Sequence, residues 1–199
     1  MTNVKVFFDF NCPFCFIATG IVEQLKKDGV NFFIEWIPYE QYPEIPFEGR
    51  NLYDIFSKDK TIKMFKTLGK YGSPYNISFN ENVNIKFNSH RALLAREYAK
   101  SVHKYSVFSR EVFKTAFVDI KNIGEESIIN DIGKKVGLDV EEMNRNIDSG
   151  KYDEKLKIAY ELVDKYNIEE VPTFLINDET KIINIRKYKR IKDAILEAE

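Results

Sequence analysis

Cysteine and histidine are scarce in this chain of 199 residues, which carries two of each. His90 and His103 stand far apart, so the usual four-ligand zinc site built from two close pairs is excluded. Two cysteines are also too few for a disulfide-stapled scaffold. No apolar run approaches the ~20 residues that cross a bilayer. Neither charge sign is in surplus: 30 basic residues face 31 acidic ones, for a net charge of −1. That balance argues against a nucleic-acid or polyanion binder. The N-terminus, Met1-Thr2-Asn3-Val4-Lys5, lacks a basic n-region, a long apolar core and a cleavage site. The sequence therefore predicts no secretory leader, no membrane partner and a cytoplasmic location. Disorder is excluded by a 44% hydrophobic and 14% aromatic composition. The length suits one domain, or one domain with a large insertion.

The two cysteines that are present, Cys12 and Cys15, fall within one tetrapeptide, Cys12-Pro13-Phe14-Cys15. With no further pair to complete a zinc site, and a static disulfide disfavoured in a reducing compartment, a redox pair remains. Val4 to Phe10 is a β-branched and aromatic run of strand length. A helix follows, with apolar positions at Phe14, Ala18, Ile21, Val22 and Leu25 and a terminal Gly29. Pro13 suits its first turn, where a missing N–H costs nothing. Asn31 to Ile37, closed by Pro38, reads as a second strand. The cysteines thus occupy the first turn of a βαβ unit.

From about Asn51 to Tyr166 the apolar spacing predicts helix after helix, without a strand. Ser73 to Phe87 reads as an Asn-rich loop, followed by a helix capped by Asn88 or Ser89. Asp139-Val140-Glu141-Glu142 is a capping-box pattern. Strand character returns at Val171 to Ile176. The turn Asn177-Asp178-Glu179-Thr180 leads to Lys181–Ile185 as a hairpin partner, and Lys189 to Ala198 is an amphipathic helix. The outline is β-α-β, a helical block, then β-β-α.

A C-x-x-C at a strand-to-helix turn with a late Val171-Pro172-Thr173 resembles the thioredoxin superfamily, and the helical block resembles its DsbA-like branch. Asp9-Phe10-Asn11-Cys12-Pro13-Phe14-Cys15 and Trp36-Ile37-Pro38-Tyr39-Glu40 are similar to motifs of the FrnE-like members, which are dithiol-disulfide isomerases. Asn88-Ser89 with Ala92-Leu93, and Gly137-Leu138-Asp139, are further points of likeness. One departure is the stretch Asn177 to Tyr188, which has no glycine where that family is Gly-rich. The resemblance implies an α/β thioredoxin fold. Residues 1–48 and 167–199 would form the thioredoxin-like domain, and 49–166 an all-helical insertion between its β-α-β and β-β-α halves.

The same resemblance implies a thiol–disulfide oxidoreductase or isomerase. A helix entrance carries a partial positive charge and unpaired N–H groups, which favour the thiolate that attacks disulfides. Cys12 is the expected nucleophile. Cys15, one helical turn on, is the expected resolving group. A cis Pro172 is implied beside them, with Val171, Thr173, Pro13 and Phe14 contacting substrate and the Val171 backbone pairing with an extended chain. Asp9, Glu35 and Glu40 are candidate proton-relay carboxylates, Asp9 first because it lies nearest the motif. His90 reads as an exposed helical residue and Trp36 as core. No metal or bound cofactor is expected beyond a Cys12–Cys15 disulfide, with glutathione as one candidate thiol partner. Substrates would be protein or low-molecular-weight thiols and disulfides. Two other readings share the fold: a glutathione-dependent kappa-type transferase or isomerase, which usually has serine in this motif, and a non-redox binding module.

Overall fold

The computed structural model describes residues 1–183 and 188–198. Strand β1 (Thr2–Phe8) leads through the cysteine turn into α1 (Pro13–Lys27), and β2 (Phe32–Pro38) returns parallel to β1. The register runs from Thr2 opposite Phe32 to Phe8 opposite Pro38. Gly29 makes this return possible: its φ of 75° ends α1 in the left-handed region that glycine enters at no steric cost. Strands β5 (Thr173–Ile176) and β6 (Thr180–Ile182) complete a four-stranded sheet of order β2-β1-β5-β6, with β5 antiparallel to β1.

β1 is central: one face is buried along its length, whereas the other is buried at Phe7, past the exposed Asn3 and the part-buried Lys5. Val4, Val6 and Phe8 point into the main core with Ile17, Ile21 and Leu25 of α1. Phe7 points the other way, into a smaller cluster with Leu175, Ala159 and Val163. The last two belong to α7 (Asp153–Lys165), so the helical block supplies the cover for the second face. The C-terminal helix α8 (Tyr188–Glu197) packs on β1 and β5. Tyr188 and Lys192 both donate hydrogen bonds to Asp28 at the end of α1, at 2.7 and 2.9 Å.

Between β2 and α7 lie α2 (Lys58–Gly72), α3 (His90–Ser101), α4 (Tyr105–Phe117), α5 (Glu126–Lys135) and α6 (Val140–Asp148). The capping expectation at Asp139 holds, its carboxylate accepting from the Glu142 N–H at 2.9 Å. The block is not free of strands. Two-residue strands β3 (Arg50–Asn51) and β4 (Ile85–Lys86) pair antiparallel. So short a ladder leaves no period-2 signature, and β4 sits within the stretch read as loop. The expected strand at Val4–Phe10 ends earlier, at Phe8, because Asp9 and Phe10 already belong to the cysteine turn. Of the expected hairpin partner Lys181–Ile185, Lys181 and Ile182 belong to β6, and residues 184 and 185 lie outside the described residues, as does part of the glycine-free stretch.

Candidate active site

The site begins where β1 ends. The Cys12 N–H donates to the Asp9 carbonyl at 3.1 Å, forming a tight turn that delivers Cys12 to the N-cap of α1. Pro13 occupies the first helical turn, and no acidic side chain stands there to oppose the helix dipole. The Cys12 carbonyl accepts from the N–H of Cys15 at 3.0 Å and of Phe16 at 3.4 Å, which fixes the two cysteines one turn apart. Both are free thiols. Cys12 is partly exposed and Cys15 fully buried. Beneath them Phe16 stacks on Phe113, with centroids 5.4 Å apart, within an aromatic cluster that includes Phe79 and Phe117. This packing holds the first turn of α1 in place.

The Val171–Pro172 peptide is cis and lies against the dithiol. The Cys12 thiol donates to the Val171 carbonyl at 3.2 Å. Thr173, in contrast, is buried, and its hydroxyl donates to the Glu170 carbonyl at 2.6 Å. It braces the proline loop from inside rather than presenting a side chain to a substrate. Burial above all pushes the Cys15 thiol well above the ordinary thiol range, and the Cys12 sulfur hydrogen-bonded to it acts in the same direction. Cys15 is therefore protonated at neutral pH and needs a base before it can attack.

Asp9 is fully buried, with the Cys15 sulfur close to its backbone amide. Its carboxylate accepts from the backbone N–H groups of Asn11 at 3.1 Å and Gln41 at 3.0 Å. Burial raises its pKa. These hydrogen bonds, the Ser89 hydroxyl and the Lys86 charge pull the other way. Ser89 Oγ is near enough to act on Asp9 electrostatically but has no well-formed hydrogen bond. Glu40 is also buried, bonded to His90 Nδ1 at 2.8 Å and to the Tyr160 hydroxyl at 3.4 Å. His90 is thus half-exposed but engaged, not a free helical histidine, and the Glu40 hydrogen bond raises its pKa. Glu35 stands apart on β2, in an ion pair with Lys100 at 3.6 Å. Trp36 packs edge-on against Phe8 at 5.6 Å and does not line the dithiol cavity.

That cavity, of about 480 Å3, has Cys12 in its lining. Pro13 and Phe14 form part of its wall and Val171 another part, so of the expected contact residues Thr173 is the one left out. Of the three candidate relay carboxylates, Asp9 lies beside Cys15, whereas Glu40 is turned to His90 and Tyr160 and Glu35 to Lys100. Sequence reasoning missed Gln41, Arg50 and Lys86, which share the same cavity. Gln41 follows directly on the Trp36–Glu40 motif and was within reach of that signal. Arg50 and Lys86 had none, because a two-residue ladder brings them there. Among the described residues, no group of three His, Cys, Asp or Glu side chains is arranged to hold a metal ion.

Residues 3–195 match the DSBA-like thioredoxin domain. The chain belongs to that family. This DsbA-like chain is 28% identical over 181 residues to the uncharacterized protein YwbO of Bacillus subtilis, across 88% of this chain and 87% of YwbO. Its fold is similar to that of the probable DsbA oxidoreductase SCO1869 of Streptomyces coelicolor, with a TM-score of 0.89 at 14% identity, covering 100% of this chain and 90% of that one. It is also similar to the cytosolic disulfide reductase DsbM of Pseudomonas aeruginosa, solved with GSH, with a TM-score of 0.69 at 14% identity, covering 98% and 97%.

Proposed function

We propose that this chain is a cytoplasmic thiol–disulfide oxidoreductase and isomerase of the FrnE-like type, exchanging disulfides through Cys12 and Cys15. One observation carries the reading: a partly exposed Cys12 sulfur at a helix N-terminus, in contact with the Val171-Pro172 loop, with a buried Cys15 thiol hydrogen-bonded behind it. Cys12, as thiolate, attacks one sulfur of a substrate disulfide, and the other leaves as a thiolate that takes up a proton. Cys15 then gives its proton to the Asp9 carboxylate and attacks the Cys12 sulfur. The second substrate sulfur leaves as a thiolate that likewise takes up a proton. The protein ends oxidised by two electrons as the Cys12–Cys15 disulfide, and the substrate ends as two thiols. A thiol reductant restores the dithiol. Attack by a second substrate thiol on the first mixed disulfide gives isomerisation instead.

The Val171 backbone offers an edge for an extended substrate, while Pro13 and Phe14 form the adjoining wall. Low-molecular-weight thiols such as glutathione fit as partners too, in keeping with the GSH named for DsbM. Residues 49–166 act as an insertion that walls the cavity. The reducing poise of the cytoplasm favours reduction or isomerisation over net oxidation. Insulin-disulfide reduction with a thiol reductant tests this. Wild type accelerates the reaction, Cys12→Ser removes the acceleration, and Cys15→Ser accumulates a mixed disulfide with substrate. Equal rates for wild type and Cys12→Ser overturn the reading.

A further inference from the structure

The dithiol cavity is apolar over most of its wall, through side chains such as Phe14, Leu52, Phe56 and Phe65. Its positive charge comes from the β3–β4 ladder, where Arg50 and Lys86 are direct register partners. Both line the cavity with Cys12. Arg50 already has a partner, Glu44, at 3.4 Å. Lys86 does not: among the described residues no carboxylate lies within ion-pair distance of it. Its ammonium instead rests 3.2 Å from the centre of the Tyr42 ring. Burial lowers its pKa, while Asp9, Cys12 and Glu44 raise it, so these are the charges it faces together with Arg50. A half-buried ammonium with no carboxylate in direct contact is costly, and an aromatic face with more distant charges offsets only part of that cost. An anion entering the cavity would supply the missing partner. Glu170, the acid on the proline-loop side, repels such an anion from that end and directs it to the ladder.

We infer that Arg50 and Lys86 form a carboxylate-binding subsite, and that the protein selects anionic low-molecular-weight disulfides over neutral or cationic ones. The inference rests on the exchange reaction proposed above. The carboxylate of the substrate seats on Lys86, with Arg50 beside it, and this brings the disulfide to Cys12. A cavity of about 480 Å3 accommodates a molecule of that size. Lys86 carries most of the preference, because Glu44 already engages Arg50.

The test uses the reduced full chain in single turnover, with release of two thiols per protein as the readout. Three symmetrical disulfides are compared: 3,3′-dithiodipropionate, bis(2-hydroxyethyl) disulfide and cystamine. Each rate is divided by that of free dithiothreitol with the same compound, which removes intrinsic reactivity. Wild type is expected to favour the dicarboxylate over the neutral disulfide by about tenfold, the scale of one charge-assisted hydrogen bond. Lys86→Gln removes most of this ratio, Lys86→Arg keeps most of it, and Lys86→Glu reverses the order in favour of cystamine. Each ratio is internal to one variant, so a general loss of activity leaves it readable. A wild type without charge preference, or a Lys86→Glu variant with the wild-type order, overturns the subsite while leaving the exchange reaction standing. A wild type inert to all three compounds and to insulin overturns the exchange reaction, and the subsite with it.

Discussion

Asp9 carries the most testable chemistry among single residues. Its carboxyl is buried, and burial raises its pKa despite the amides of Asn11 and Gln41. The folded state therefore holds this proton more tightly than the unfolded chain does. That contribution favours folding in full below the unfolded value of 3.8 and is lost as pH rises through the higher folded value. Asp9→Asn removes this dependence, so the variant should gain stability on wild type between acidic and neutral pH. Each kcal/mol gained would raise the Tm by about 2–4 °C for a chain of this size. On the mechanism proposed above, the same substitution deprives Cys15 of its proton acceptor and should prolong the mixed disulfide with substrate. Paired melts at pH 4 and pH 7, with mass analysis of trapped adduct, check both effects. An Asn variant that resolves its adduct at the wild-type rate would remove Asp9 from the mechanism. The position of Asp9 beside the dithiol was legible because it is three residues from Cys12. The engagement of His90 was not, because its partner Glu40 is fifty residues away in the chain.

Among the elements, α1 decides the geometry of the site, and its position depends on close packing at Gly20. A Cβ at Gly20 would stand 2.6 Å from the Tyr75 Cβ and 2.9 Å from the Tyr75 carbonyl oxygen. Both belong to the short 3-10 turn Ser73–Tyr75 that follows α2. Gly20→Ala must displace that turn or α1, and such overpacking costs about 1–3 kcal/mol. A thermal melt several degrees below wild type is the expected result. Unchanged melting would show that the turn yields freely. The helical period of α1 was readable from its apolar positions, as were the N-cap at Asp139 and the strand that ends in Pro38; the reciprocal half of the capping box is not formed, since the Glu142 carboxylate accepts from the Tyr98 hydroxyl instead. The β3–β4 ladder was not, since two residues per strand are too few to show alternation.

Across the whole molecule, Arg96 joins the helical block to the sheet. It is almost fully buried on α3, 5.3 Å from the Phe8 ring and 5.1 Å from the Tyr105 ring, and it is paired with Glu97. Phe8 belongs to β1 and Tyr105 to α4, so one guanidinium touches both layers. Arg96→Ala leaves Glu97 buried without its cation, a change that costs about 3–5 kcal/mol. Arg96→Met, which keeps most of the packing volume, leaves the same charge unpaired but should cost less. Urea denaturation of the two variants measures the difference. Equal destabilisation would assign the effect to the lost charge alone.

The sequence by itself determined the local chemistry: two thiols one helical turn apart at a strand-to-helix junction, an acid at the strand end, a proline loop, and strand-bearing halves on either side of a helical block. These follow from hydrogen bonds and spacings that act over a few residues, so adjacent letters suffice to read them. Only the tertiary structure decided which distant groups meet at the cavity. It put Lys86 and Arg50 in the wall of the cavity that Cys12 also lines, tied Glu40 to His90 and Tyr160, left Glu35 with Lys100, and turned Thr173 inward. Those outcomes depend on close packing between segments tens of residues apart, where no local periodicity records the partner.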